Sequence, residues 1–337
     1  MAPTMLDVAA LAGVSAKTVS RVVNDEPGVA PATRERVLAA IARTRFSPDP
    51  AARSLRTGRS GVIGLAVPEL SQPFFAEIAD RIATRAGEHG LSVVLGVTGE
   101  LGEGEEAFVA GHPELDGTIV YWQGMSRHTL AELARRRPLV VLGEKEHDEV
   151  DRVTMDNAGG IDLVVAHLEA LGREHIAVLG APDPEVWTHG AGRTRMAAFR
   201  EAMVRHGLEI DERLLIVSTE WRRRDGALAA RRLLEVGAPF DAVVSFNDAL
   251  ALGALHELAA AGVRVPEDAA VTGFDNLESS RYANPSLTTV SPRLSAYATD
   301  AVRLLRERIE SPDGPPRTVV EDVMLLPRDS SVGGGAP

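Results

Sequence analysis

VIGLAVPELSQPFFAEIADRIATRAGEHGLSVVLGV, residues 62–97, decides the fold. It opens with a continuous apolar run (62–67), passes through a polar loop into a helix-period stretch from about Phe74 to His89, and returns to a second apolar run, LSVVLGV (91–97). A strand without polar alternation is buried on both faces, the condition of a parallel sheet covered by helices. The rhythm continues outward from there. GTIVYW (117–122), LVVLG (139–143) and VTM (153–155) read as strands, and a helix over 157–171 leads to a second series. Its strands are HIAVLGAP (175–182), LLIVST (214–219), AVVSFN (242–247) and AAVTGFD (269–275), separated by helices over 192–206, 225–236 and 248–261. LTTV (287–290), a helix over about 293–309 and TVVEDVMLLP (318–327) complete it. Strands alternating with helices at this spacing give an α/β fold of doubly wound layers. EHGL (88–91) and RHGL (205–208) close equivalent helices in the two series, so two similar subdomains are expected to face each other across a cleft.

The chain has 337 residues, room for two domains of roughly 150 residues and a small module. Apolar residues at 45% and charged residues at 25% exclude global disorder. The absence of cysteine excludes disulfides, zinc–thiolate sites and cysteine nucleophiles. The start MAPTMLDVAALAGVS lacks a basic region followed by a long apolar one, and no later stretch reaches about 18 apolar residues. A cytoplasmic protein without a membrane partner is expected. The net charge of −12 is unevenly spread: residues 1–59 hold 9 Lys+Arg against 5 Asp+Glu, so the remaining 278 residues carry a net −16. Phosphate attraction is screened within about 10 Å, so a basic head on an acidic body points to a polyanion met by the head alone.

That head reads as three short helices. Thr4 with Asp7 makes a capping-box start, Leu6, Ala9, Ala10 and Val14 an apolar stripe, and Gly13 the break. Ser15 is a second N-cap, Val19, Val22 and Val23 face inward, and Asn24 stops the helix. A third helix follows Pro31 with Val37, Leu38 and Ile41 as its inner face. Helices this short need a shared core. LDVAALAGVSAKTVSRVVN (6–24) fits a helix-turn-helix whose second helix turns Ala16, Lys17, Thr18, Ser20 and Arg21 outward. Such a helix enters the major groove, where Lys and Arg pair with guanine edges and hydroxyls hold phosphates. SPDPAARSLRTGR (47–59) has almost nothing to bury and reads as a linker.

With PATRERVLAAIARTRFSPDPAARSLRTGRSGVIGLAVP, SQPFF, VTMDN, ALGREHIAVLG, SFNDALALGAL and VTGFDN…PSLTTV in order, the chain resembles the LacI/GalR family of bacterial transcriptional regulators over residues 4–330. The resemblance implies a helix-turn-helix domain (1–46), a hinge helix or linker (47–59), and an effector-binding and dimerisation domain (60–330) akin to type I periplasmic binding proteins. Within it, an N-subdomain spans about 60–157 plus 290–317, and a C-subdomain about 158–287 plus 318–330. The tail 331–337 is expected to be disordered. By the same resemblance, Ala16, Lys17 and Arg21 touch base edges, Ser15, Thr18, Ser20 and Asn24 hold the DNA backbone, and in the hinge stretch containing Ala52 and Arg53, Leu55 wedges into the minor groove. Packing on the body is the alternative for Leu55. Asp49, Pro50 and Ala30 depart from the usual hinge and cap residues.

The resemblance also implies an effector cleft at the strand ends, lined by Phe74, Phe75, Arg193, Asn247 and Asp275, with Tyr121 and Trp122 as further candidates. Trp221 is either a sugar-stacking platform or core. Gly143 stands where members often have an acid, and Glu144 is its substitute. The stretch 98–115 is shorter than usual. The implied function is a repressor that binds pseudo-palindromic double-stranded operator DNA as a homodimer, under control of a small molecule, most naturally a sugar, with no cofactor. A solute receptor without DNA function is the alternative; the head at 1–59 stands against it. Catalysis is not expected, since there is no P-loop, no G-x-S-x-G and no second histidine to complete His256-Glu257.

Overall fold

The computed structural model describes residues 3–23, 26–44, 46, 58–99, 103–144, 149–183, 190–218 and 220–332. They fall into two compact units, Met1–Gly61 and Val62–Pro337.

The first unit holds α1 (Met5–Ala12), α2 (Ala16–Val23) and α3 (Pro31–Thr44). The capping box at Thr4 is formed: Asp7 Oδ2 accepts the Thr4 N–H at 2.7 Å while Thr4 Oγ1 accepts the Asp7 N–H at 3.4 Å. Gly13, at φ +63°, turns the chain out of α1 in the left-handed conformation that glycine tolerates. Val8, Ala9, Ala12, Val19, Val22, Val37 and Ala40 form the shared core. Two stripe assignments are corrected. Leu6 is 70% and Leu38 52% exposed, and Ala10 also faces solvent; the inner faces run through Met5, Val8, Ala9 and Ala12, and through Val37, Ala40 and Ile41. Each inner set is spaced at three and four residues, as one helix face requires. Asn24, the linker from Ser47 to Thr57 and its Ala52, Arg53 and Leu55 lie outside the described residues.

The second unit contains two six-stranded sheets. In chain order its elements are β1 (Val62–Val67), α4 (Pro73–Glu88), β2 (Ser92–Val97), α5 (Glu103–Gly111), β3 (Gly117–Tyr121), α6 (Arg127–Arg136), β4 (Leu139–Leu142) and β5 (Asp151–Met155). Then come α7 (Asn157–Ala170), β6 (Ile176–Ala181), α8 (Ala191–Arg205), β7 (Leu215–Val217), α9 (Arg223–Val236), β8 (Ala242–Ser245), α10 (Asp248–Ala260) and β9 (Ala270–Phe274). The chain ends with α11 (Glu278–Arg281), β10 (Thr288–Pro292), α12 (Leu294–Glu310), β11 (Thr318–Glu321), β12 (Val323–Leu326) and α13 (Asp329–Val332). The sheet orders are β11-β5-β4-β3-β1-β2 and β12-β10-β9-β8-β6-β7; every pairing is parallel except β10 with β12. Ile63, Leu65 and Ile119 in the first sheet, and Val178, Val244 and Phe274 in the second, are fully buried. In α9 and α10 the backbones come so close that a Cβ on Gly253 would collide with the Arg223 carbonyl, and one on Gly226 with that of Leu250.

The chain crosses between the sheets three times, after β5, after β10 and between β11 and β12. The expected continuous strand 318–327 is therefore two strands parted by Asp322, and β11 belongs to the first sheet rather than to the C-subdomain. An alternating pattern marks an extended chain without saying which sheet it joins. Likewise β10 stays in the second sheet through Pro292, beyond the expected crossing at 290. The tail assignment is shortened as well: Ser331 is 3% exposed within α13, its hydroxyl bonded to Thr288 and His167, and only 333–337 fall outside the described residues. The short stretch 98–115 still forms α5, with Phe108 packed over Gly96 and Gly64 where larger residues would not fit.

Candidate functional site

The head presents α2 through its cap. Ser15 Oγ accepts the Thr18 N–H at 3.2 Å and lies 3.0 Å from Thr18 Oγ1. Lys17 and Arg21, four residues apart and both exposed, share one helix face. Ala16, Thr18 and Ser20 are half-buried beside it. Glu26 escaped the sequence reading: its carboxylate stands 3.8 Å from Arg21 Nε, and its N–H donates to the Arg21 carbonyl at 2.9 Å. Helical periodicity does not reach past the end of α2, so no pattern paired them.

In the second unit, the C-terminal ends of both sheets converge on a cavity of about 980 Å³, its open mouth included. This is where open α/β sheets bind ligands, because strand ends and helix N-termini aim unpaired groups into the crevice. Phe74, Phe75, Tyr121, Trp122, Trp221, Asn247 and Asp275 all line it, as do Glu144, Glu69, Gln72, Gln123, Ser218 and Glu220. Phe74, Phe75 and Tyr121 stack edge to face, with centroids 4.9 to 6.0 Å apart. Trp122 is 5% exposed and spends its indole N–H on the Met125 carbonyl at 2.6 Å, leaving a rigid apolar surface. Trp221 is half-buried against two glycines: a Cβ on Gly180 would stand 3.2 Å from its Nε1 and one on Gly192 3.1 Å from Cζ2. The glycines thus make room for the ring.

Arg193 requires correction. It is exposed and does not line the cavity; Arg195, two positions on, is 4% exposed and does. Two residues are about 200° of helix, so these side chains leave α8 on opposite faces. Phe199, fully buried four residues after Arg195, marks the inner face and was the available signal. Arg195 Nε donates to Asn157 Oδ1 at 2.6 Å, Nη1 donates to the Phe246 carbonyl, and Nη2 stands 3.9 Å from Asp275 Oδ1. Its guanidinium carbon lies 3.6 Å from the centroid of Phe274. Burial pushes the Asp275 carboxyl well above the ordinary carboxylate range, and the Arg195 charge opposes that rise. Asp275 also sits at φ +118°, a conformation that costs energy for a residue with a side chain and that marks functional positions.

Asn247 is more committed than the sequence implied. Its Oδ1 caps α10 by accepting the Leu250 N–H at 2.8 Å, and its Nδ2 donates to the Trp221 carbonyl at 2.9 Å. One N–H is left for a ligand, and the side chain also fixes the loop that carries Trp221. Glu144 accepts from Thr154 Oγ1 at 2.9 Å, and burial raises its carboxyl against that bond and the Arg195 charge. Among the described residues no cluster of three or more His, Asp or Glu is placed to hold a metal ion. No described helix is long and apolar enough to cross a membrane.

Comparison with known proteins follows the same division of the chain. Residues 4–49 match the family described as bacterial regulatory proteins, lacI family, and residues 165–331 match a periplasmic binding protein-like domain. The HTH-type transcriptional regulator CelR of Thermobifida fusca is 34% identical over 344 residues, 97% of this chain and 98% of that protein. A solved complex of a transcriptional regulator CelR with cellobiose is similar with a TM-score of 0.71 and 32% identity, covering 98% of this chain and 100% of that one. The lac repressor dimer bound to operator and the anti-inducer ONPF reaches a TM-score of 0.84 at 27% identity, covering 98% of this chain and 99% of that one. These relatives are transcriptional regulators and not enzymes.

Proposed function

The chain belongs to the LacI family of bacterial regulatory proteins, and from that membership we propose that it is a repressor released from a pseudo-palindromic operator by a sugar. It acts as a homodimer, because two-fold protein symmetry places one recognition helix on each half-site. Lys17 and Arg21 read base edges; Ser15, Thr18, Ser20 and Asn24 hold the phosphate backbone. Ala16 contributes at most a methyl contact, and Leu55, in the stretch with Ala52 and Arg53, opens a base step at the operator centre.

The observation that carries the sugar assignment is the makeup of the cleft. Trp221 lies against glycine on one side, and beside it Asn247, Asp275, Arg195 and Glu144 supply donors and acceptors for hydroxyls. An aromatic plane beside paired polar groups suits the apolar C–H face and polar rim of a pyranose. Phe74, Phe75, Tyr121 and Trp122 close the apolar end. Cellobiose, the ligand in the complex of the CelR regulator, is the first candidate. Ligand binding changes the angle between the lobes and thereby the affinity for DNA, a coupling that is reciprocal by thermodynamic necessity. The test is a thermal-shift screen against cellobiose, ribose, glucose and purine nucleosides, followed by gel shifts on an inverted-repeat duplex with and without the hit. A sugar that stabilises the protein and releases the duplex supports the proposal. Stabilisation by a nucleoside alone, or tighter DNA binding with the sugar, refutes it.

A further inference from the structure

One carboxylate in the cleft is only half used. Glu69 follows β1 in the first lobe and is 8% exposed. Its Oε2 accepts from Ser71 Oγ and from Arg222 Nη2, the latter at 3.0 Å. Arg222 precedes α9 in the other lobe, so this ion pair spans the cleft. The second oxygen, Oε1, is buried in the cavity wall and accepts no hydrogen bond among the described residues. A buried acceptor left unsatisfied is costly, and satisfied elsewhere in nearly every folded protein. Ser71 and Arg222 already fix the orientation of the carboxylate, so Oε1 is a preorganised acceptor without a partner among the described residues, on a residue that lines the cavity.

We infer that Glu69 is a specificity-determining residue, whose Oε1 accepts a hydroxyl of an uncharged polyol while its Oε2 latches the second lobe through Arg222. This deepens the reading of the cleft as a sugar site and rests on it. The charge of the described wall sets the class of ligand. Glu69, Glu144, Glu220 and Asp275 face the cavity, and Arg195 and Arg222 are already engaged by carboxylates. A phosphorylated or carboxylated sugar brings an anion for which the described wall holds no uncommitted cation, since Arg195 already faces Asp275 and Arg222 already pairs with Glu69, whereas a neutral sugar brings donors. Filling Oε1 also favours the arrangement in which the latch is shut, so recognition and lobe closure meet on a single side chain.

The test is isothermal titration of the full-length protein with cellobiose, ribose, glucose, glucose 6-phosphate and ribose 5-phosphate, on the wild type, Glu69→Gln and Arg222→Gln. The wild type is expected to bind a neutral sugar at least tenfold more tightly than the phosphorylated ones. Glu69→Gln is expected to weaken the neutral sugar about tenfold and to narrow that preference. Arg222→Gln is expected to weaken it too, with the effect of both substitutions together smaller than their product. Ligand-free melting curves establish that both variants fold. Neutral-sugar binding unchanged within twofold in Glu69→Gln overturns this inference and leaves the sugar reading standing, as does tighter binding of a phosphorylated sugar by the wild type. Failure of every sugar to bind the wild type removes both.

Discussion

Replacing Arg195 by Met removes a cation from the middle of the cleft while keeping most of its volume. In the native protein this cation is nearly inaccessible, donates to Asn157 and to the Phe246 carbonyl, and faces Asp275 at 3.9 Å. Taking away one partner of a buried charged pair costs about 3–5 kcal/mol, because the other is left without compensation. For a unit of this size each kcal/mol moves the melting temperature by about 2–4 °C, so a fall of about 6–20 °C is expected. Part of the loss is avoidable by protonation. Burial already drives the Asp275 carboxyl upward, so removing the opposing guanidinium drives it further up, and the deficit grows as pH rises. Asp275→Asn is the matching change, since asparagine tolerates the positive φ at this position. The double variant should therefore recover about 1–3 kcal/mol relative to the sum of the single losses, measured by urea unfolding followed by tryptophan fluorescence. A loss below about 1 kcal/mol for Arg195→Met, or strictly additive effects in the cycle, refutes the view of Arg195 and Asp275 as a mutually dependent pair.

Arg21→Ala should lower discrimination between operator and scrambled DNA by about 1–3 kcal/mol in gel-shift competition; an unchanged ratio removes Arg21 from base reading. Leu55→Ala should weaken specific binding and spare non-specific binding, an outcome read from salt-matched titrations on both duplexes. Gly253→Ala forces a methyl into the Arg223 backbone and should cost about 1–3 kcal/mol in urea unfolding, where a neutral result would mean that α9 and α10 part easily. Burial and a hydrogen bond with Asp300 raise Glu321 from 4.5 to about 7, so the folded protein holds this proton more tightly than the unfolded chain. Its stabilisation is present below about pH 4.5 and is lost as pH climbs through 7, and Asp248, raised by burial to about 6, acts in the same direction. Melting temperature should fall between about pH 4.5 and 7, and Glu321→Gln should flatten that slope; a parallel curve for the variant contradicts the assignment.

The strand-and-helix alternation was legible because parallel strands buried on both faces leave long apolar runs, and those runs recur as β1, β3, β4, β6, β8 and β9. What pattern does not carry is partner choice. TVVEDVMLLP is extended throughout, yet β11 and β12 join different sheets, a decision taken by the neighbours at Asp151–Met155 and Thr289–Pro292. The cleft was legible to within two residues. Phe74 and Phe75 stand in the first turn of α4, and Tyr121, Trp122, Trp221, Asn247 and Asp275 at or just past strand ends, whereas on α8 a slip from Arg195 to Arg193 exchanges an inward side chain for an outward one. Glu69 and Glu26 were invisible because each acts through a residue distant from any periodic pattern: Arg222 lies 153 positions from Glu69, and Glu26 lies beyond the end of α2.

The triple crossing between the sheets has a consequence for how the molecule can be taken apart. Each lobe draws on separate lengths of the chain, the first taking back α12 and β11 after the second is almost complete, and the second finishing with β12 and α13. No uninterrupted segment of the gene encodes either half, so a protease nick at one passage leaves the halves tethered by two others. Truncation before β11 therefore damages both at once, and neither is a free-standing part to be borrowed by recombination.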